Sequence, residues 1–575
     1  MSERYSLVIR GGTVIDGSGS APRQADVAVQ GDKITLVGRV TGSGIEEIDA
    51  RGLLVTPGFI DPHTHLDFQV TWSERTTPCS WNGVTTVVIG NCGVGFAPCR
   101  PQDRDTLIGL MAGVEDIPAK VMSSGLPWNW ESFPDFMDAL AARRYDADIV
   151  TQIPHSALRV SVMGERGVNR ETASADDLAA MRRLVTESVR AGAIGVSSSR
   201  SRGHIAADGR PVPTFDCAEP ELTAIARGLT DAGAGWLQII PDFADLESEF
   251  AMLRRVVHAS GRPMALSVMQ LVNKPDQWRK VMDLVAEANA AGDPMLSQVI
   301  PRATGILLGF EMSQNPFFLR PSYRQIAHLP LDQRVQALRD PALRARLLSE
   351  QIPVNLDDAE DIGLRVAKWD RLFPLTEPVD YEPRAEDSVA GRAARAGLPP
   401  DEVALDILLQ QDGRAVLYRP FSNYGYGDLD AVREMITEPH TVIGLGDAGA
   451  HLGGITDASS VTFLLTHWTR DRQRGQGGLL PVEWAVRRLT HDTATVLGLH
   501  DRGLLAPGYK ADINVIDLAG MNLPLPHIEH DLPAGGRRLN QLAKGYDATI
   551  VSGAVIRRFD RDTGARPGKL VRGAR

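Results

Sequence analysis

The chain has 575 residues, enough to bury a large core without staples, and its four cysteines are too few for a disulfide scaffold. Hydrophobic residues make up 43% and charged residues 23%, ordinary for a globular enzyme, and a net charge of −11 argues against nucleic acid or an anionic membrane as partner. No stretch reaches the roughly 18 apolar residues of a membrane span, and the N-terminus lacks a signal-peptide core, so a cytoplasmic protein is expected.

Residues 1–56 read as short strands. Ser6-Leu7-Val8-Ile9-Arg10 stops at Gly11-Gly12, and Ala25-Asp26-Val27-Ala28-Val29 alternates up to Gln30-Gly31-Asp32. Period-two alternation broken by Gly and Asp predicts a hairpin-rich sheet. Next come candidate strands at Gly58–Ile60, Val84–Ile89, Ile149–Ile153, Ile194–Ser197, Trp236–Ile240, Met264–Val268, Leu296–Ile300 and Val442–Leu445. Amphipathic stretches at Ser174–Ala191, Ala218–Asp231 and Trp278–Ala291 lie between several of them. Eight strands alternating with helices predict an α/β fold, a (β/α)8 barrel of TIM type over residues 57–498. The stretch at about 302–413 breaks the rhythm and carries its own helical pieces, Leu331–Leu338 and Ala342–Ser349; it reads as an insertion between strands seven and eight. Residues 499–575 return to β texture at Ala511–Asp517 and Ala548–Gly553, which predicts one β-sandwich built from both termini.

The strongest local signal is Pro57-Gly58-Phe59-Ile60-Asp61-Pro62-His63-Thr64-His65-Leu66-Asp67. An apolar strand ends in histidines at i and i+2, which share one side of a strand and can reach one metal ion. The C-terminal end of a barrel strand is also where barrel chemistry occurs.

That phrase, with LVIRGGTVIDGSG, GVTTVVIGNCGVGFAP, GLGDAGAH and GLLAPGYKADINVIDL, resembles the amidohydrolase superfamily and, within it, the N-acyl-D-amino-acid deacylases. The resemblance spans essentially the whole chain, and the GNCG phrase points to the deacylase branch. It implies that His63, His65, Cys92 and Asp447 are metal ligands, that the metal is zinc, and that Asp447 is the general base toward water at the metal. Cys79, Cys99 and Cys217 have no such context and read as structural.

The sequence also departs from that family. Relatives carry a histidine at the end of strand five and another at the end of strand six; here Gln238 and Gln270 stand roughly in those places. A glutamine oxygen is a poorer zinc ligand than imidazole, so about one tightly bound zinc is expected rather than two. His155 follows strand three, His204 follows strand four and His451 lies just beyond Asp447; all three are candidates to line the site. Arg302, after strand seven, is a candidate partner for a substrate carboxylate, with Arg200 and Arg202 as others. Tyr424 and Tyr426, among glycines, are candidates for a lid.

The reading that follows is a zinc-dependent hydrolase of a linear amide bond, acting on N-acyl-(D-)amino acids or related small amides. The alternatives are a cyclic-amide hydrolase or deaminase on the same scaffold, and a non-catalytic scaffold protein. The expected partner is a small-molecule amide, with no nucleic acid or membrane; a homo-oligomer is compatible with the sequence.

Overall fold

The computed structural model describes residues 4–350 and 368–573. The alternating N-terminal residues form β1 (Arg4–Val14), β2 (Arg23–Gln30), β3 (Lys33–Gly38), β4 (Ser43–Asp49) and β5 (Leu54–Pro57). β1 and β2 pair antiparallel through Leu7–Val29 and Ile9–Val27. The other edge of β1 pairs parallel with β4 and then, past Gly11-Gly12, with β5. A Cβ on Gly12 would lie 2.4 Å from Val55 Cγ2, so only glycine allows β5 this close.

β6 (Phe59–Asp61), β7 (Val84–Ile89) and β8 (Asp148–Thr151) form a parallel three-stranded sheet. Gln152 interrupts the chain; its N–H bonds the Ile89 carbonyl, and the strand resumes as β9 (Ile153–Pro154). β9 opens a six-stranded parallel sheet, in the spatial order β9, β10 (Gly195–Ser199), β11 (Trp236–Ile240), β12 (Met264–Ser267), β13 (Met295–Val299), β17 (Thr441–Ile443). β7 is buried at every position, as expected for a parallel strand covered on both faces. Helices Ala175–Ala191, Glu219–Ala232, Leu246–Ser260 and Gln277–Ala290 alternate with these strands. The first has a capping box between Ser174 and Asp177, and Pro220 sits in the first turn of the second. Beyond β6 and β17, a parallel bridge joins Thr64 to Ala448, with His65 N–H donating to the Ala448 carbonyl at 2.7 Å. This is an α/β arrangement of TIM-barrel type.

Between β13 and β17 lies an antiparallel sheet of β14 (Thr304–Leu308), β15 (Phe373–Leu375) and β16 (Val416–Ser422), with β16 in the centre. It has a core of its own, including Leu308, Phe317, Leu338, Leu405 and Leu417. The segment therefore runs past the expected limit at 413. β16 belongs to it by pairing with β14, a contact between distant stretches that local texture does not reveal. Residues 351–367 of the expected insertion lie outside the described residues.

After the barrel, β18 (Ile513–Ile516) pairs antiparallel with β5, and β21 (Tyr546–Val551), β22 (Ala554–Arg558) and β23 (Arg561–Asp562) follow. The terminal strands thus form one branched nine-stranded sheet rather than two separate sheets. Its limbs share a core of Leu7, Ile9, Val27, Val55, Ile513 and Ile550. The hairpin of β19 (His527–Leu532) and β20 (Gly536–Asn540) reaches the barrel mouth, where Leu539 N–H bonds the Leu452 carbonyl at 2.7 Å. No described helix is long and apolar enough to cross a membrane.

Candidate metal centre

His63 and His65 follow β6, Cys92 follows β7 and Asp447 follows β17, so four side chains reach one place at the C-terminal ends of the strands. His63 Nε2 lies 3.3 Å from Cys92 Sγ and 3.2 Å from Asp447 Oδ1. His65 Nε2 lies 3.6 Å from the same Asp447 oxygen. The donor atoms of His63, His65 and Cys92 fall within 4.8 Å of one another. Two imidazoles, a thiol and a carboxylate form a donor set suited to zinc. Asp447 Oδ1 is buried with no hydrogen-bond donor, a costly placement unless a cation meets it. Cys92 (φ 54°), Asp447 (φ 45°) and His451 (φ 48°) hold left-handed backbone, a strained conformation for residues with a side chain.

The electrostatics fit a cation site. Burial pushes the Asp447 carboxyl up, but the adjacent His65 and the charge of His63 outweigh it and hold the group below the usual carboxylate range. Burial brings His63 down to about 4, which leaves its imidazole neutral and able to ligate. Burial also opposes charge on His65, yet Glu115, Cys92 and Asp447 raise it well above the ordinary value. Burial pushes the Cys92 thiol up to about 12; metal coordination is what makes such a thiol a thiolate. Burial likewise raises Asp61 and Asp67 to about 7.

A second layer orients these groups. His63 Nδ1 donates to Gln298 Oε1 at 2.8 Å, which turns its Nε2 lone pair toward Cys92 and Asp447. Cys92 N–H donates to Gln238 Oε1 at 3.4 Å, and Gly93 N–H donates to Ser197 Oγ at 2.9 Å. Gln238 therefore supports the cysteine loop.

The other candidates separate. His204 faces the centre: its Nδ1 is buried without a partner, and burial, together with charge on His65 and His451, brings it down to about 4. His451 stands at the rim, with Nε2 3.9 Å from Glu115 Oε2. His155 is not free to line a site. Its Nδ1 is 2.8 Å from Ser198 Oγ and its Nε2 is 2.9 Å from Glu221 Oε1. Gln270 lies three residues beyond β12; it accepts from Gly425 N–H at 2.7 Å and donates to the Pro275 carbonyl at 3.3 Å. Ser267, at the end of β12, stands beside Gln238 in its stead, three residues before the one expected there. Arg302 is 1% exposed, ion-paired with Asp457 and stacked 3.9 Å from the Tyr381 ring centroid, so it is closed to a substrate carboxylate. Arg200 is tied to Glu249 and Arg202 to Asp242. Tyr424 is buried with its hydroxyl on the Pro383 carbonyl, and Tyr426 is half exposed and bonded to Asp276. The loop is packed at Tyr424 rather than free.

Sequence reasoning missed Gln298, Ser267 and Glu115. The signal for Gln298 is a large amide inside a strand that is otherwise apolar or small, Met-Leu-Ser-Gln-Val. The signal for Glu115 is an acid at the C-terminal end of helix Arg104–Val114, where the helix dipole disfavours negative charge.

A model of the amidohydrolase family matches residues 46–557. The chain is 26% identical to a D-aminoacylase of Alcaligenes xylosoxydans xylosoxydans, covering 99% of this chain and 98% of the relative. It is 26% identical to an N-acyl-D-aspartate deacylase of the same organism, covering 98% and 94%. Among solved structures, an N-acyl-D-glutamate deacylase from Bordetella bronchiseptica, complexed with zinc and a phosphonate inhibitor, superposes with a TM-score of 0.65 at 21% identity, covering 99% of this chain and 100% of that one. The chain belongs to the amidohydrolase family. It is a metal-dependent hydrolase acting on carbon–nitrogen bonds.

Proposed function

We propose that the chain is a zinc-dependent deacylase that hydrolyses the linear amide bond of N-acyl amino acids. The observation that supports this most is the clustering of the His63, His65 and Cys92 donor atoms within 4.8 Å of one another, with Asp447 Oδ1 3.2 and 3.6 Å from the two imidazoles. Zinc held by His63, His65, Cys92 and Asp447 supplies Lewis acidity for an acyl carbonyl and for water. Asp447 takes the proton of the attacking water on Oδ2, the oxygen not turned to the histidines, and returns it to the leaving nitrogen. His204, held neutral, and His451 face the same space and are placed to hydrogen-bond the substrate amide. The Thr64–Ala448 bridge supports a barrel closed between its first and eighth strands, which fixes Asp447 against the histidine pair.

A cationic pocket of about 570 Å³ lies over the ends of β11 and β12, lined in part by Ser267, Arg202, Lys368, Arg371 and Arg419. Burial and the charge of Arg371 lower the Arg419 pKa while Asp370 acts the other way, and Asp242 of the same lining pairs with Arg202, so the wall carries an excess of positive charge. This supports a substrate carrying a carboxylate. The four free, buried cysteines suit a reducing compartment such as the cytoplasm. The relatives' names put N-acyl-D-amino acids first among substrates. A hydrolysis screen of N-acetyl-D- and N-acetyl-L-amino acids with the zinc-loaded protein tests the reading. Release of free amino acid from at least one series is expected. Hydrolysis of cyclic amides alone would overturn it.

A further inference from the structure

Glu115 is 2% exposed and sits directly after helix Arg104–Val114, with its N–H on the Met111 carbonyl. Burial raises its carboxyl, and the helix C-terminus adds negative potential. Among the described residues no lysine or arginine pairs with it. Its ionic neighbours are His65, with Nδ1 3.3 Å from Glu115 Oε1, and His451, with Nε2 3.9 Å from Oε2.

The two nitrogens of His65 face opposite ways, Nδ1 to Glu115 and Nε2 to Asp447 at 3.6 Å. Nδ1 makes no hydrogen bond of normal geometry and has the Glu115 carboxylate 3.3 Å away, so a proton on that nitrogen faces the carboxylate and leaves the Nε2 lone pair for the metal side. His63 is oriented in the same sense, but by the neutral amide of Gln298. Glu115 also holds the opposite wall: its carbonyl accepts from His451 N–H at 2.6 Å, in the strained turn that carries Asp447. The helix can come this close because of Gly113, where an added Cβ would lie 2.3 Å from the backbone of Ala206 and Ala207. The same helix accepts at the Gly109 carbonyl from Ala207 N–H at 3.0 Å, in the loop that carries His204.

We infer that Glu115 is a positioning residue that fixes His65 as a metal ligand through Nε2 and ties the His65 side of the centre to the Asp447–His451 turn. The inference rests on the reading that His63, His65, Cys92 and Asp447 hold zinc. As Glu115 lies behind His65, it sets metal affinity and does not touch substrate.

The test is zinc affinity by competition with a chromophoric chelator, in wild type, Glu115→Gln, His65→Ala and the double variant, with melting curves of each. Glu115→Gln is expected to weaken zinc about 10–100-fold while melting of the metal-free protein is unchanged or raised. In the His65→Ala background the same change should have no further effect on affinity, because the two residues act through one contact. Wild-type zinc affinity in Glu115→Gln, or full additivity in the double variant, would overturn the proposal. If His63→Ala and His65→Ala both kept wild-type affinity, the zinc site itself would be misplaced and both readings would fall. Should Glu115→Gln not fold, Glu115→Asp, which keeps the charge and shortens the reach, is expected to weaken zinc in the same direction, and wild-type affinity there would overturn the proposal.

Discussion

Gln238 donates its side-chain amide to the Ser267 hydroxyl at 3.2 Å, across the adjacent strands β11 and β12. The two residues satisfy each other, and Gln238 Oε1 is taken up by Cys92 N–H. Neither offers a strong ligand to a second metal ion. About one zinc per chain is expected to survive dialysis. Elemental analysis returning two would show that His204 or His451 has been recruited.

Ligand and supporting residues should behave differently on substitution. His63→Ala removes a donor and should strip the metal, with activity lost in proportion. Gln298→Leu leaves the donor but frees its Nδ1, and should weaken zinc about 10–100-fold while activity recovers at high zinc. Equal metal content in both variants would contradict the second layer described here.

Much of this centre is local and therefore legible in the sequence. His63 and His65 stand two apart at a strand end, and Cys92 and Asp447 each sit among glycines just past an apolar strand. The supporting residues are not local. Gln298 meets His63 across 235 residues and Arg302 meets Asp457 across 155, so neither role can be read from its neighbours in the chain. Gln270 misleads for a different reason. β12 stops at Ser267, and Gln270, three residues on, is engaged by Asn423 and Gly425 instead. His155 lies at an expected strand end, but Ser198 and Glu221 hold its ring beside the Cys92 loop instead of in the site.

Glu221 gives a pH-dependent prediction. Burial raises its carboxyl, but hydrogen bonds and charge from His155 and Arg159 outweigh this and bring it from 4.5 down to about 2. A lowered folded-state pKa contributes stability that is present above the ordinary value and lost as pH falls through the folded one. Glu221→Gln should therefore cost about 2–3 kcal/mol at neutral pH. The gap to wild type should narrow as pH drops from 4.5 toward about 2. Denaturant unfolding across that range checks it; a gap independent of pH would contradict the ion-pair account.

If the pocket beside Ser267 takes a substrate carboxylate, Arg371→Ala should raise KM about 10–100-fold with a smaller change in kcat, as for loss of one charge-assisted contact. Arg302→Lys should differ, lowering stability through Asp457 with KM unchanged in the protein that remains folded. Steady-state kinetics on one carboxylate-bearing amide and its methyl ester separate the two. An unchanged KM in Arg371→Ala would place the carboxylate elsewhere.

The most direct test of the account is the turnover of Asp447→Asn on the best N-acyl amino acid, read alongside its zinc content. Asparagine keeps the size and one carbonyl oxygen toward the histidines but cannot accept a proton. A fall of roughly two to four orders of magnitude in kcat is expected, with the fold and most of the zinc retained. Near-normal turnover in a zinc-containing Asp447→Asn protein would contradict it.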